Sequence, residues 1–282
     1  MEAAALKKAS KNKNFQAVKK FWDSFIYPRN VEVVKGKDPE GIFAENMKGR
    51  VDITRNFDGK ELNIEYLFGL FVGPTTSTQF TLIPVPVNYT FSEFVTADNV
   101  ASTSVIVNLK HLASGVTTPI QIDSFTRYDK DGKLAQYDAI FRRISLQLTA
   151  VVQRMAPYIL TEYAKFTKAA PPAPTAENVQ KALVVLQADS ICNTAATSCT
   201  GALSQYSSYA ECFNFLTTQI RFGTAYEGGQ NTLWCRTVHQ QMVPLAPEVH
   251  CPHIGKTGGG QCTDFQYEDF MIPFYDAPFI AS

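Results

Sequence analysis

All six cysteines of this 282-residue chain, Cys192, Cys199, Cys212, Cys235, Cys251 and Cys262, fall in its last third. That segregation limits what the region can be. A disulfide framework is one reading, because the count is even and a small, loop-rich region gains most from cross-links. It would suit a secreted protein, although nothing in 1–17 has the apolar core of a leader, so the compartment is left unassigned. A metal site is the second reading. Cys235 and His239 stand at i and i+4, and His250-Cys251-Pro252-His253 adds three ligands of the kind zinc prefers. Three of the four histidines lie in this region, but there is no CxxC pair and no standard zinc spacing, so no metal is assigned. The third reading is free thiols packed as small hydrophobes. All three stay open.

The rest of the chain is long enough for a separate core. Lys+Arg and Asp+Glu are equal at 26 each, which argues against a nucleic-acid partner. The one basic cluster, Lys7, Lys8, Lys11, Lys13, Lys19 and Lys20, reads as a solvated tail and a wet helix face. No apolar run is long enough to span a membrane. Asn88-Tyr89-Thr90 is a glycosylation triplet of a kind common by chance.

Phe15, Val18, Trp22 and Phe25 predict an amphipathic helix ending before Pro28. Asp38-Pro39-Glu40 has the form of a helix start, with Ile42, Phe43 and Met47 as the apolar face. Val51 to Thr54 reads as a strand, Asp58-Gly59 as a turn, and 62–71 is apolar at helical spacing. Segments 79–95, 100–112 and 119–144 are rich in β-branched and aromatic residues. The last is divided by Asp129-Lys130-Asp131-Gly132-Lys133, a hairpin loop with Gly placed to take positive φ. Short turns between consecutive strands predict an antiparallel meander, and Pro84 and Pro86 put its first strand at an edge or a bulge.

From Ser145 the helical period returns, and Pro157 would end or kink that helix. The prolines of Ala169 to Thr175 mark a stiff linker. Helices are predicted over 176–188, 211–222 and 231–243, with irregular structure beyond. The terminal aromatics Phe265, Tyr267, Phe270, Phe274, Tyr275 and Phe279 would tuck against a core. The division expected is 1–170, a linker at 171–175, and 176–282.

Helices followed by a lengthening meander, closing on Ser124-Phe125-Thr126-Arg127-Tyr128-Asp129-Lys130-Asp131-Gly132-Lys133-Leu134 and Tyr137-Asp138-Ala139-Ile140-Phe141-Arg142-Arg143, form a pattern that resembles the NTF2-like, or SnoaL-like, α+β cone. The resemblance covers about half the chain. It implies helices packed on a curved antiparallel sheet, a deep cavity between them, and a homodimer through the sheet. Members use the cavity as an isomerase, dehydratase, cyclase or hydrolase site, or simply to bind, and the fold does not choose among these. The second part is expected to be mainly helical. Its runs 231–236 and 250–262 are similar to a cysteine-bearing module of fungal proteins of unassigned role.

Side chains alternate along a strand, so Asp123, Phe125 and Arg127 share one face, as do Asp138, Ile140 and Arg142. A carboxylate in an apolar pocket has a raised pKa and can move protons. Asp123 and Asp138 are the candidate acid and base, with His111 or Lys110 as partner. Tyr137 would hydrogen-bond a substrate oxygen, and Phe125, Phe141, Arg127 and Trp22 would shape the site. The competing reading pairs each Asp with a nearby arginine at the sheet surface. The function expected is an isomerase, cyclase or dehydratase acting on an apolar small molecule, with no organic cofactor. The alternative is a non-enzymatic binding or interaction protein with a disulfide-braced second domain. A zinc hydrolase would need three converging ligands and an open position. The run 255–260 puts its glycines after Lys256-Thr257, the wrong order for a phosphate loop, and reads as a tight turn.

Overall fold

The computed structural model describes residues 12–74 and 79–271. Lys7, Lys8 and Lys11, and the aromatics Phe274, Tyr275 and Phe279, lie outside the described residues. The first helix, α1 (Lys13–Phe25), starts at Asn12, whose side chain accepts the N–H groups of Asn14 and Phe15. It buries Phe15, Val18, Trp22 and Phe25, the stripe its spacing predicts. A short α2 (Arg29–Lys35) follows.

The helix expected after Asp38 is instead a strand, β1 (Phe43–Val51). Asp38 does cap, but its buried carboxylate accepts Ile42 N (2.7 Å) and Phe43 N (3.0 Å) in a turn that launches the strand. Pairing on both sides of β1 then overrides the local preference of a segment with little β-branched character. Val51 ends β1, so 51–54 is a turn rather than a strand, and β2 (Asn56–Asp58) pairs back on β1. The run from Leu62 is helical: α3 (Lys60–Leu67), then a short 3-10 turn.

The meander is as expected: β3 (Val85–Ala97), β4 (Val100–Lys110), β5 (Thr117–Tyr128) and β6 (Leu134–Arg142), each antiparallel to the next. Its first strand is an edge, with a register shift between Pro86 and Asn88 where the prolines interrupt pairing. The β5–β6 loop uses Gly132 at φ +78°. One correction concerns the sheet as a whole. In the order β2-β1-β6-β5-β4-β3, β1 runs parallel to β6, so the sheet is mixed.

Long helix α4 (Ile144–Thr167) continues through Pro157, and after the linker comes α5 (Ala176–Ser198). Then come α6 (Tyr209–Asn214), α7 (Leu233–Gln240) and α8 (Pro247–Ile254). Helix α8 lies where irregular structure was expected. Pro247 at its first turn has no N–H to leave unsatisfied there. Among the described residues no helix is long and apolar enough to cross a membrane.

The two parts share their interior. Trp234 and Val238 of α7, with Met242, join the core formed by α1, α3 and the sheet. Met155, Ile159 and Leu160 of α4 pack with Val179, Leu183 and Leu186 of α5 and with Phe80. Gly228 and Gly229 lie so close to the 53–54 turn that a Cβ would sit 2.7 Å from Ile53 O and 2.6 Å from Thr54 O, respectively. Arg55 reaches the other way, to Gly229 O (3.0 Å) and Thr263 Oγ1 (2.7 Å), with its guanidinium over Phe265. Tyr267, by contrast, is exposed.

A third core cluster surrounds the cysteines. They pair Cys192–Cys212, Cys199–Cys251 and Cys235–Cys262, so the disulfide reading holds and no thiol is left to ligate a metal. Removing Cys199–Cys251 (separation 52) should cost about 4 kcal/mol, against about 3 kcal/mol for Cys192–Cys212 (separation 20), because the longer loop restricts the unfolded chain more. Denaturant unfolding of the two double-alanine variants measures this, and an inverted order contradicts it.

Candidate functional site

A cavity of about 240 Å³ lies between one face of the sheet and α1, α4 and α7. Ile120, Ile122, Ser124 and Thr126 of β5 and Tyr137, Ala139 and Phe141 of β6 face it, as strand alternation requires. Val18, Phe21 and Trp22 of α1, Leu148 and Val151 of α4, and Trp234 and Val238 of α7 complete the wall. Tyr137 fits because Gly49, opposite it in the register, has no side chain; a methyl there would overlap the Tyr137 ring and Asn63 Oδ1.

The wall is mostly hydrocarbon with a few polar groups. Thr103 and Ser124 share a hydrogen bond (2.8 Å), and Thr126 donates to Ala101 O (3.1 Å). Burial pushes the phenols of Tyr66 and Tyr128 above their ordinary range, so they remain protonated donors at neutral pH. Two wall residues differ. The Trp234 indole N–H and the Thr54 hydroxyl are buried with no hydrogen-bond partner among the described residues. Such a group costs about 1–3 kcal/mol if it stays unsatisfied. Among the described lining residues the one carboxylate is Asp131, in the exposed hairpin loop.

The residues expected at the site divide by strand face. Tyr137, Phe141 and Trp22 line the cavity. Asp123, Phe125, Arg127 and Asp138 lie on the opposite face of the sheet. Asp138 is held by Arg50 across the β1–β6 ladder, with Nε donating at 3.1 Å. Asp123 accepts from Ser104 Oγ (2.6 Å) and Arg142 Nε (2.8 Å). Arg127 donates to Asn99 Oδ1 (3.2 Å), and Phe125 is 43% exposed. His111 is buried away from the cavity, with Nδ1 at Ser114 Oγ (2.8 Å) and Nε2 at Thr81 O (2.9 Å). The expected acid–base pair therefore does not face the cavity, and each Asp has the arginine partner that the competing reading gave it. Thr54 and Trp234 were not legible as site residues, because only the docking of the second part brings them together.

Behind the α7 wall lies a second polar cluster, of His239, His250 and His253, all buried. His250 Nε2 meets Glu65 Oε2 at 3.0 Å, and the Tyr66 hydroxyl lies 3.2 Å from His239 Nε2. Burial, then the neighbouring imidazoles, hold His239 well below the usual histidine range, and the same causes bring His253 down to about 3.

Replacing Gly49 by alanine should destabilise the protein by about 1–3 kcal/mol, because the new methyl must displace the Tyr137 ring and the buried Asn63 side chain. Equilibrium unfolding tests this, and a neutral substitution would mean that Tyr137 is not fixed as described.

Family models match both parts of the chain: the BfoA N-terminal domain over residues 19–139 and the BfoA family C-terminal domain over residues 143–265. The chain is 41% identical over 247 residues to the bifonsecin B biosynthesis cluster protein A of Aspergillus brasiliensis, covering 87% of this chain and 77% of that one. It is 40% identical over 247 residues to the aurasperone B biosynthesis cluster protein A of Aspergillus niger, covering 87% and 75%. Among solved structures, an LEH-like epoxide hydrolase of M. tuberculosis aligns at 8% identity and TM-score 0.38, over 53% of this chain and 96% of that one. A steroid delta-isomerase of Pseudomonas aeruginosa aligns at 11% identity and TM-score 0.30, over 54% and 95%. With both domain models matched in order, and relatives this similar over most of its length, the chain belongs to the BfoA family.

Proposed function

We propose that the cavity takes an apolar, ring-containing intermediate of a small-molecule biosynthesis and promotes its isomerisation, cyclisation or dehydration. The observation that carries this reading is a cavity of about 240 Å³ walled mostly by hydrocarbon, with Thr103, Ser124, Thr126 and Tyr137 among its few polar lining residues. The wall would exclude water from the reacting rings, and its hydroxyl groups would orient a ligand oxygen. The relatives named for biosynthesis clusters fit a substrate of that kind. With Asp123 and Asp138 on the far face, proton handling would fall to phenols, first of all Tyr137, and to the shape of the wall.

A second reading, binding without turnover, is favoured by the scarcity of carboxylates among the described lining residues. In either case the three disulfides suit an oxidising compartment. The homodimer expected from the resemblance would use the outer sheet face, where Ile106, Phe125 and Ile140 are exposed. The unit boundaries 1–170 and 176–282 likewise stay a proposal.

A neutral probe tests the cavity. In calorimetry 2-naphthol should bind one per chain, more tightly than naphthalene, and Ala17→Phe, which fills the α1 side of the wall, should weaken it at least about tenfold. No binding of either probe, or binding unaffected by Ala17→Phe, would rule the cavity out as the ligand site.

A further inference from the structure

The histidine cluster has a geometry that hydrogen bonding among the three rings does not satisfy. His239 lies in the last turn of α7, while His250 and His253 lie on α8 at i and i+3. Their Nδ1 atoms converge: that of His239 is 3.4 Å from that of His250 and 3.1 Å from that of His253. One ligand atom from each of the three lies within 4.8 Å of the others. A tetrahedral ion with metal–nitrogen bonds of about 2.0–2.1 Å sets neighbouring nitrogens about 3.3 Å apart, close to the two spacings that His239 makes.

Proton counting points the same way. A carboxylate accepts only, so the contact of His250 Nε2 with Glu65 requires the hydrogen on Nε2. His250 Nδ1 is then a bare lone pair turned toward His239 Nδ1. If His239 Nδ1 carries the hydrogen, that one hydrogen is divided between the lone pairs of His250 and His253 in a weak three-centre contact. If His239 Nδ1 accepts from His253, it faces His250 lone pair to lone pair. Either way, the two close nitrogen contacts of His239 have at most one hydrogen to share in a buried site. A cation between the three rings satisfies every contact.

The surroundings are built to hold this arrangement. The Cys235–Cys262 disulfide ties α7, one turn before His239, to the loop that covers the cluster. Gly259 in that loop lies so close that a Cβ would sit 2.8 Å from the His253 ring. Glu65 comes from the other part of the chain, in the position of the carboxylate that orients a ligand histidine. Tyr66 beside it both lines the cavity and places its hydroxyl 3.4 Å from His239 Nδ1.

We propose that His239, His250 and His253 bind one divalent transition-metal ion of the zinc class through their Nδ1 atoms, with Glu65 orienting His250. Three protein ligands leave a position of a tetrahedral ion for another ligand, and Tyr66 connects that neighbourhood to the cavity wall. The proposal stands whether or not the cavity binds the molecules proposed for it.

The test uses the untagged full chain with its disulfides intact, stripped by chelator and equilibrated with Zn2+ or Co2+. Native mass spectrometry should count one ion per chain, and Co2+ should show the visible band of a tetrahedral site. His250→Ala and His253→Ala should lose the ion, whereas Glu65→Gln should keep it with about 10- to 100-fold weaker affinity. Pulsed EPR of the Cu2+-loaded wild-type chain should detect imidazole nitrogens, which keeps the test independent of how the variants fold. Less than about a tenth of an equivalent of Zn2+, Co2+ or Cu2+ on the folded wild-type chain would overturn the proposal. So would Cu2+ without imidazole coupling, or an ion retained by folded histidine variants.

Discussion

Every residue of α7 is buried, and much of the molecule is arranged around that one helix. Thr232 opens it by accepting Cys235 N (3.0 Å), and four of its side chains then face different surroundings. Trp234 and Val238 close the cavity of the sheet domain. Arg236, a fully buried cation, donates to the carbonyls of Thr232 (3.0 Å) and Gly255 (3.0 and 3.1 Å) rather than to a carboxylate. His239 enters the histidine cluster. A helix inserted this deeply cannot leave without exposing both cores, so the cavity and the disulfide-bonded region form one interior. Gly228 and Gly229 matter for the same reason: only residues without a Cβ allow the chain to come down on the 53–54 turn.

The sheet decides the chemistry through its alternation. Placing Asp123 or Asp138 in the hydrocarbon cavity would strip a carboxylate of water without an assured partner, at a cost of several kcal/mol. On the opposite face each finds an arginine from a neighbouring strand, and the cavity keeps Ile120, Ile122, Ala139 and Phe141. Among the described lining residues the cavity is consequently poor in carboxylates, and its polar character comes mainly from hydroxyl groups.

Much of this was legible in the sequence. The α1 stripe, the four-strand meander, the prolines at its edge and the Gly132 loop all follow from short-range rules that tertiary contacts here reinforce. β1 was not legible, because Phe43–Val51 has little strand character and is set by parallel pairing with β6, far along the chain. The site was half legible. Alternation correctly grouped Tyr137 with Phe141, and Asp123 with Phe125 and Arg127. Which group faces inward depends on what packs against the sheet. The cysteine and histidine clustering announced a built region; the pairing of the thiols, and the arrival of Glu65 and Tyr66 at the histidines, depend on the docking of the two parts.

That docking can be read by native-state hydrogen exchange. If α7 joins the parts into one unit, the slowest amides of α7, α5, β5 and β6 should exchange through a single global opening, with the same free energy and the same denaturant dependence. If the amides of α5 and α7 instead open together at a lower free energy than those of β5 and β6, the second part is a separate lid and the shared interior is contradicted.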